Sequence, residues 1–267
     1  MDVCTLASGS KGNCLLACCG QTYILIDAGI SARRITRSLG DLGVSPEELS
    51  AVFVTHGHSD HIAGLRVLSK RLRCPIRATR QTGWALQRRF PELNVEEVRE
   101  EEQVGELRVE CFPTPHDAPG SVGYRVTGDG MRFVLCTDLG HLSQPVRDAV
   151  RGIDLLISES NHDVEWLRSG PYPLYLQDRI LGLYGHLSNE EGAELARLAA
   201  AGGSQAVVLA HLSQENNTPE RARAAAAQAL ESLGRPVHLS VAPEQERGPL
   251  FRLENGTVSV VEEIALC

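Results

Sequence analysis

The chain has 267 residues and a formal net charge of −8, and 42% of its residues are hydrophobic while 22% are charged. This balance excludes a disordered or fibrous protein, and the length favours one domain over residues 1–267. No apolar run approaches the roughly 20 residues of a membrane span, and residues 1–6 lack the features of an export signal, so we expect a cytoplasmic protein with no membrane partner.

Hydrophobic periodicity predicts short strands that alternate with helices along the whole chain. The predicted strands are 3–6, 14–18, 23–26, 51–55, 107–113, 122–127, 131–136, 155–158, 206–210, 237–241 and 258–262. The predicted helices are 31–39 with Ser31 as N-cap, 62–72, 189–200, and one that starts at Pro219 behind the N-cap Thr218. This order fits two mixed sheets packed face to face with helices outside.

Charge is distributed unevenly along the chain. Residues 62–91 contain no acid, whereas residues 92–106 contain seven. The basic segment 66–89 holds Arg66, Lys70, Arg71, Arg73, Arg77, Arg80, Arg88 and Arg89. It is interpreted either as a surface that contacts DNA phosphates or as a solvated helix face that pairs with the following acids. The eight cysteines form no C-x-x-C pair, so we expect reduced thiols and no four-thiolate zinc site.

The strongest chemical signal is the motif H-x-H-x-D-H, which begins at His56 directly after a predicted strand. In a loop that leaves a strand, His56 and His58 can point the same way and hold one cation. Asp60 and His61 on the next turn can face a second cation. Further ligand-type residues follow later apolar strands: His116, Asp138 and His211. The pattern predicts a dinuclear metal site.

These ordered motifs, with Asp27 in L-I-D-A-G at 25–29, resemble those of the metallo-β-lactamase superfamily over nearly the whole chain. A narrower resemblance is to the YycJ (WalJ) family, whose members resemble double-stranded DNA 5′→3′ exonucleases. It rests on L-A-S-G-S-K-G-N at 6–13, V-T-H-G-H-S-D-H at 54–61, E-S-N-H-D at 159–163 and G-H-L-S-N at 185–189. The resemblance implies an α/β (α+β) fold, a four-layer αββα sandwich.

By this resemblance, seven side chains bind two divalent metal ions. They are His56, His58 and His116 for the first ion, Asp60, His61 and His211 for the second, and Asp138 as the bridge between them. Asp27 would orient the ligand loop without binding metal. Histidine-rich ligation suits Zn²⁺, and the two carboxylates also admit Mn²⁺.

Two branches of the superfamily fit less well. The RNA-processing branch inserts a large domain between the fourth motif and the last histidine, but Asp138 and His211 are 73 positions apart. True β-lactamases are exported proteins, whereas we expect no export signal at residues 1–6 of this chain.

Several loop residues are candidates for substrate binding. Ser8, Ser10 and Asn13 lie in a glycine-containing loop that can either bind phosphate or form an ordinary hairpin turn. Asn161 and His162 follow a strand as the ligands do, which favours a functional role. The remaining candidates are His186, Ser188 and Asn189, and Ser188 is alternatively a helix N-cap. Asp117 is either a support for His116 or a turn former, whereas His141 and His238 are interpreted as surface or structural residues.

The expected reaction is metal-assisted hydrolysis of a DNA phosphodiester, with Asp60 or Asp138 accepting the proton of the attacking water. His162 or His186 would stabilise or protonate the leaving oxygen. One alternative is a small-molecule hydrolase acting on a thioester, lactone or cyclic phosphodiester, which predicts an apolar, enclosed pocket. Another is a metal-stabilised scaffold without activity.

Overall fold

The structure, a computed structural model, describes residues 1–261. The strands in chain order are β1 (Asp2–Ala7), β2 (Cys14–Cys19), β3 (Thr22–Ile26), β4 (Ala51–Phe53), β5 (Ile76–Ala78), β6 (Val95–Glu97), β7 (Glu101–Val104), β8 (Leu107–Pro113), β9 (Val122–Gly128), β10 (Met131–Cys136), β11 (Leu155–Glu159), β12 (Ala206–Ala210), β13 (His238–Val241), β14 (Leu250–Glu254) and β15 (Thr257–Val261). Of the predicted last strand, Glu262 lies outside the described residues, as does Cys267.

Helices connect many of these strands. They are α1 (Ala32–Gly40), α2 (Ser59–Ile62), α3 (Leu65–Leu68), α4 (Arg80–Arg89), α5 (Gln144–Ala149), α6 (Val164–Ser169), α7 (Leu174–Leu181), α8 (Asn189–Ala201) and α9 (Pro219–Glu231), with a short 3₁₀ helix at Pro46–Glu48. Ser31 and Thr218 cap α1 and α9 as predicted, because each side chain accepts a hydrogen bond from a backbone N–H of the first turn. Within residues 1–261, no helix combines the length and the hydrophobicity needed to cross a membrane.

Two sheets form the centre of the molecule. One has the strand order β15-β14-β1-β2-β3-β4-β5-β6 and the other the order β13-β12-β11-β10-β9-β8-β7. Their facing sides share one apolar cluster that includes Ile24 and Phe53 of the first sheet and Tyr124 and Phe133 of the second. The outer face of the first sheet packs against α1 through residues such as Ile35, and the outer face of the second packs against α8 and α9. The predicted αββα sandwich is confirmed.

Parallel pairing places several strand ends at one edge of the molecule. Strands β3, β4 and β5 are parallel in the first sheet, and β10, β11, β12 and β13 are parallel in the second. Strand β8 runs the same way as β10, because both are antiparallel to β9. The carboxyl ends of these strands therefore lie together, as in other α/β folds that bind ligands.

The predicted helix 62–72 is wrong in its extent. The segment forms two short helices, α2 and α3, separated by Gly64. The Gly64 N–H donates to the Ala28 carbonyl at 2.8 Å, and an added Cβ at this position would lie 2.1 Å from the Ile30 carbonyl oxygen. Because these two backbone segments approach each other so closely, the helix is interrupted at Gly64. The predicted strand 51–55 also ends early, at Phe53, because the Thr55 N–H donates to the Asp27 carboxylate at 2.8 Å.

Candidate metal centre

The candidate centre lies at the carboxyl ends of the strands, where the two sheets meet. Asp27 follows β3, Asp138 follows β10 and His211 follows β12. All three have left-handed backbones, with φ of 62°, 61° and 56°. Such a conformation is costly for residues other than glycine and persists where surrounding contacts enforce it, typically at functional sites.

The loops that carry the ligands are held by backbone hydrogen bonds between neighbouring segments. The Asn13 N–H donates to the Asp60 carbonyl and the Gly29 N–H donates to the Asn13 carbonyl, both at 2.8 Å. An added Cβ on Gly29 would lie 1.6 Å from the Asp60 carbonyl oxygen, so only glycine permits this packing. The motif L-I-D-A-G thus contributes backbone packing as well as the Asp27 carboxylate.

All seven predicted metal ligands converge. In each of three groups, the ligand atoms lie within 4.8 Å of one another. The groups are His56, His58 and His116; Asp60, His61 and His211; and His56, His61 and Asp138. Asp138 thus lies between the two sets of ligands that the sequence assigned to two ions.

The nitrogen that faces the centre differs between the first two histidines of the motif. His58 approaches through Nδ1, which lies 3.2 Å from Nε2 of His116. His56 has Nδ1 3.0 Å from the Thr55 hydroxyl, and that hydroxyl lies 2.9 Å from the Asp27 carboxylate. Because the hydroxyl donates to Asp27, it accepts from His56 Nδ1, which leaves the lone pair of His56 Nε2 free for the centre.

Asp27 also fixes His61, as the predicted role of orienting the ligand loop requires. Its Oδ2 lies 2.7 Å from Nδ1 of His61, so the imidazole donates to it and presents Nε2 to the centre. His116 is fixed similarly, with Nδ1 3.2 Å from the Gly185 carbonyl. Hydrogen bonds that hold the far nitrogen of a histidine are typical of metal ligands.

Glu159 is a central residue to which sequence reasoning assigned no role. Its buried carboxylate lies 2.8 Å from Nδ1 of His211 and 2.9 Å from Nδ1 of His186, and it accepts the backbone N–H groups of Leu139 and Leu187 at 2.9 and 3.0 Å. One carboxylate therefore orients two histidines. It is the last residue of β11, a buried strand with neighbours on both sides, but a glutamate in that position carries no distinctive spacing in the sequence.

The donor set fits divalent cations. Nε2 of His56 and Oδ2 of Asp138 are buried and have no hydrogen-bond partner within the described part of the chain, although Asp138 Oδ2 lies 3.2 Å from His61 Nε2. Buried polar atoms are rarely left unpaired, and a cation between these atoms would satisfy them. The two carboxylates among the seven predicted ligands, Asp60 and Asp138, supply negative charge for a dication.

The electrostatic environment differs between the histidines of the cluster. Burial lowers the pKa of His56 well below its usual value, and the neighbouring His61 adds to this effect. Burial also opposes the charge on His211, but Asp138 and hydrogen bonds to Asp60 and Glu159 outweigh it and raise the pKa of His211 to about 10. The neighbouring carboxylates thus favour protonation of His211, and a metal ion bound there would replace that proton.

A cleft of about 220 Å³ opens onto the centre. Of the predicted substrate residues, it is lined by Ser10, Asn161 and His186. Part of the wall comes from the α7 region, including Tyr172 and Arg179, which had no predicted role. A single arginine in a short helix gave no sequence signal.

Arg179 connects this wall to the ligands through Asp117. Its Nε donates to Asp117 Oδ2 at 2.7 Å, while Asp117 Oδ1 lies 3.4 Å from Nε2 of both His58 and His116. Burial opposes the charge of Asp117, but the hydrogen bond from Arg179 outweighs it and lowers the pKa of this carboxyl. Asp117 therefore lies beside the ligands, which agrees with the first of its two sequence interpretations.

Ser8 and Asn13 lie beneath the ligands and do not line the cleft. The Ser8 hydroxyl accepts the His211 N–H at 2.8 Å, and Asn13 Nδ2 lies 3.1 Å from Nε2 of His61. Both side chains are buried. The first loop positions metal ligands through these two residues, while the exposed Ser10 reaches the cleft.

His162, Ser188 and Asn189 are also buried and do not line the cleft. Ser188 caps α8 by accepting the Glu191 N–H at 3.2 Å, which is the alternative recognised from the sequence. Asn189 Oδ1 accepts from Asn217 Nδ2 at 2.8 Å. Among residues 1–261, neither ring nitrogen of His162 has a hydrogen-bond partner, and burial lowers the pKa of His162 to about 4. This position supports packing rather than substrate contact for all three.

Three arginines of the basic segment 66–89 are paired with acids. Arg66 donates to Glu92 at 2.6 Å and Arg77 pairs with Glu96, which are two of the acids that follow the segment. Arg71 instead donates to Glu47, which precedes it, at 2.7 Å. Arg80 lines a pocket next to His58.

Histidines and aspartates that converge at one edge of an αββα sandwich are typical of metallohydrolase-like proteins. Comparisons with known proteins identify the family within this class. Residues 22–212 match the Beta-lactamase superfamily domain. The exodeoxyribonuclease WalJ of Streptococcus pneumoniae is 38% identical over 224 residues, which cover 81% of this chain and 83% of that protein. The exodeoxyribonuclease YycJ of Bacillus anthracis is 34% identical over 234 residues, covering 86% and 89%. The fold resembles that of the metallo-β-lactamase fold protein YhfI from Bacillus subtilis, with a TM-score of 0.71 at 18% identity over 92% of this chain and 98% of that one.

The chain therefore belongs to the β-lactamase superfamily and, within it, to the family of the WalJ and YycJ exodeoxyribonucleases.

Proposed function

We propose that this protein is a metal-dependent exodeoxyribonuclease that removes nucleotides from double-stranded DNA in the 5′→3′ direction. The observation that carries the proposal is the convergence of seven histidine and aspartate ligands around one centre. The relatives named exodeoxyribonucleases support the choice of DNA as substrate, since each aligns with more than four-fifths of this chain.

Two divalent cations, Zn²⁺ or Mn²⁺, fit the ligand groups. His56, His58 and His116 would hold one, Asp60, His61 and His211 the other, and Asp138 would contact both. Two bound cations lower the pKa of a water between them and neutralise charge on the phosphate oxygens during in-line displacement.

The side chains around the cleft have complementary tasks. The neighbouring imidazoles lower the pKa of Asp60 and Asp138 despite their burial, so both carboxyls are ionised, and either would be available to accept the proton of the attacking water. His186 lines the cleft and is held by Glu159, so it is placed to donate a proton to the leaving oxygen. Arg179, which also lines the cleft, supplies positive charge for a phosphate.

The test is a panel of substrates offered with Zn²⁺ or Mn²⁺. Linear duplex DNA labelled at either end, single-stranded DNA, RNA and a thioester are compared for the intact protein and for Asp138→Asn. We expect release of 5′-terminal nucleotides from the duplex and loss of release in the variant. His238→Gln, which changes a histidine on strand β13, is the matched control and should retain activity.

Release from the 3′ end would overturn the direction of digestion. Cleavage confined to the thioester, or full activity without divalent metal, would overturn the proposal itself.

A second candidate is hydrolysis of a small phosphodiester or thioester at the same centre. The observation that favours it is a largely apolar pocket of about 480 Å³ next to His58, although this pocket is open to solvent, whereas the expectation for a small-molecule hydrolase was an enclosed one. The panel separates the two candidates, because a small-molecule enzyme would leave duplex DNA intact.

A further inference from the structure

A second pocket adjoins the metal centre and has no task in the reaction described above. Its volume of about 480 Å³ lies within the range for small-ligand sites. Its walls include Trp84 and Ala85 of α4, together with Ala118 and Pro119 of the loop that follows His116. His58 lines both this pocket and the metal-centre cleft, so the two spaces are neighbours on either side of one imidazole.

The two walls of this pocket are tied to each other. The Thr79 hydroxyl, which caps α4, donates to the Gly120 carbonyl at 2.8 Å, and the Thr82 hydroxyl lies 3.4 Å from the same oxygen. The start of α4 is therefore fixed to the loop that carries His116. A pocket built between two tied segments is preformed and keeps its position relative to the metal ligands.

Trp84 is the most informative residue of the pocket. Its side chain is large and apolar, yet it is 62% exposed. The Arg88 guanidinium lies over its ring, 4.7 Å from the centroid, and thereby covers one face of the indole. Arg80 and Gln81 at the same pocket add a positive charge and an amide that can both donate and accept hydrogen bonds.

We propose that this pocket binds the nucleobase of the nucleotide whose phosphate is cleaved, with the base stacked on the indole of Trp84. The inference rests on the proposed function and adds a base subsite to it. A planar aromatic ring with polar edges fits a largely apolar pocket whose lining also includes the guanidinium of Arg80 and the amide of Gln81. Because the two spaces adjoin at His58, the phosphate and the base of one nucleotide can occupy neighbouring sites. Stacking on an aromatic side chain tolerates every base, as a nuclease without sequence preference requires.

Direct binding tests the pocket independently of turnover. The described residues contain two tryptophans, Trp84 and Trp166, so Trp166→Phe leaves Trp84 as the only indole fluorophore. We expect deoxyadenosine monophosphate to quench this fluorescence at concentrations at which 2-deoxyribose 5-phosphate does not. Equal effects of the two compounds would overturn the base subsite.

Kinetics supply the second arm of the test. Trp84→Ala should raise KM for the p-nitrophenyl ester of thymidine 5′-monophosphate by about 5- to 150-fold, the range for loss of one base–aromatic stack. The same variant should change KM for methyl p-nitrophenyl phosphate, which has no base, by less than about twofold. Trp84→Phe should restore most of the affinity, and Val260→Ala on the distant strand β15 is the control for loss of an exposed apolar side chain.

The outcomes separate this inference from the proposed function. If duplex DNA is digested but Trp84→Ala behaves like the intact protein on both esters, the base subsite is wrong and the nuclease function stands. If duplex DNA is not digested but the monophosphate quenches Trp84, the subsite stands and the substrate is a free nucleotide derivative.

Discussion

Glu159 offers the sharpest test of how the second sheet organises the metal centre. We consider Glu159→Gln, which preserves size and shape but replaces one carboxylate oxygen by an amide nitrogen. In the protein, one oxygen faces Nδ1 of His186 and His211, and the other faces the N–H groups of Leu139 and Leu187. Glutamine has one acceptor oxygen, so it must present its NH₂ group to one of these two pairs of donors.

The expected magnitude follows from those contacts. If the amide nitrogen faces the histidines, Nδ1 of His211 can no longer donate, and its proton moves to Nε2, the atom 3.3 Å from Asp60. That nitrogen then cannot bind a cation. If the nitrogen faces the backbone instead, two buried N–H groups lose an acceptor, at a cost of about 1–3 kcal/mol each. Loss of a residue that supports a ligand typically lowers metal affinity by about 10–100-fold, and we expect this range for the ion held by His211.

The assay is competition between the protein and a chelating dye for Zn²⁺, analysed for two ions per chain. Glu159→Gln should weaken the binding of one ion by about 10–100-fold and leave the affinity for the other nearly unchanged, since His56 and His58 are held independently of Glu159. Glu194→Gln is the matched control, because this glutamate pairs with Arg197 on the surface of α8. Two unchanged affinities in Glu159→Gln would refute the reasoning that this carboxylate orients a ligand.

Three other predictions follow from the same geometry. His186→Ala should keep both ions but lose about 10²–10⁴-fold in turnover, whereas Asp138→Ala should lose metal. Metal analysis distinguishes the two variants, and loss of metal from His186→Ala would show that His186 is a ligand. Reversing the charge of Arg80 should reduce the slope of log DNA affinity against log salt by about 0.9 if it contacts one phosphate, and an unchanged slope would exclude that contact. Asp163→Ala removes the carboxylate that caps α6 by accepting the Trp166 N–H at 2.8 Å, so the free energy of unfolding should fall by about 0.5–2 kcal/mol in denaturant titrations at pH 7. Burial opposes the charge of Asp163, but hydrogen bonds outweigh it and lower the pKa of Asp163 in the folded protein. The difference in unfolding free energy should therefore persist above the pKa of the unfolded state and disappear as the pH falls through the pKa of the folded state. A difference that does not change with pH would contradict this cause.

Most of the sandwich was predictable because its strands carry strong local signals. Buried strands such as β3 and β12 are continuous apolar runs, and N-caps such as Ser31 and Thr218 are readable from residue type alone. The segment 62–91 was not predictable in the same way. Its interruption at Gly64 depends on close packing against a distant backbone, and its helix α4 has a polar surface with a weak apolar stripe.

The site was predictable where its residues are adjacent in sequence or follow apolar strands. The motif at 56–61 and the isolated ligands Asp138 and His211 meet as expected. Glu159 was assigned no role because a glutamate at a strand end has no distinctive spacing, and its partners come from three other segments. The hydrogen bond between Asn189 and Asn217 was equally hidden, because the two residues are distant in sequence. Pairings of this kind appear only once the chain is folded.

The last consequence concerns stability, because each ligand group draws on both sheets. His56, His58, Asp60 and His61 follow β4 of the first sheet, whereas His116 and His211 follow β8 and β12 of the second. A cation in either group therefore links the two halves of the sandwich across their open edge, and it binds the folded chain in preference to the unfolded one. At a free metal concentration of 100 times Kd, one ion stabilises the fold by about 2.7 kcal/mol. Removal of metal with a chelator should lower the midpoint of thermal unfolding, and readdition of Zn²⁺ should restore it. In Asp138→Asn the shift between the two conditions should be smaller, whereas an equal shift would show that the stabilising metal binds elsewhere.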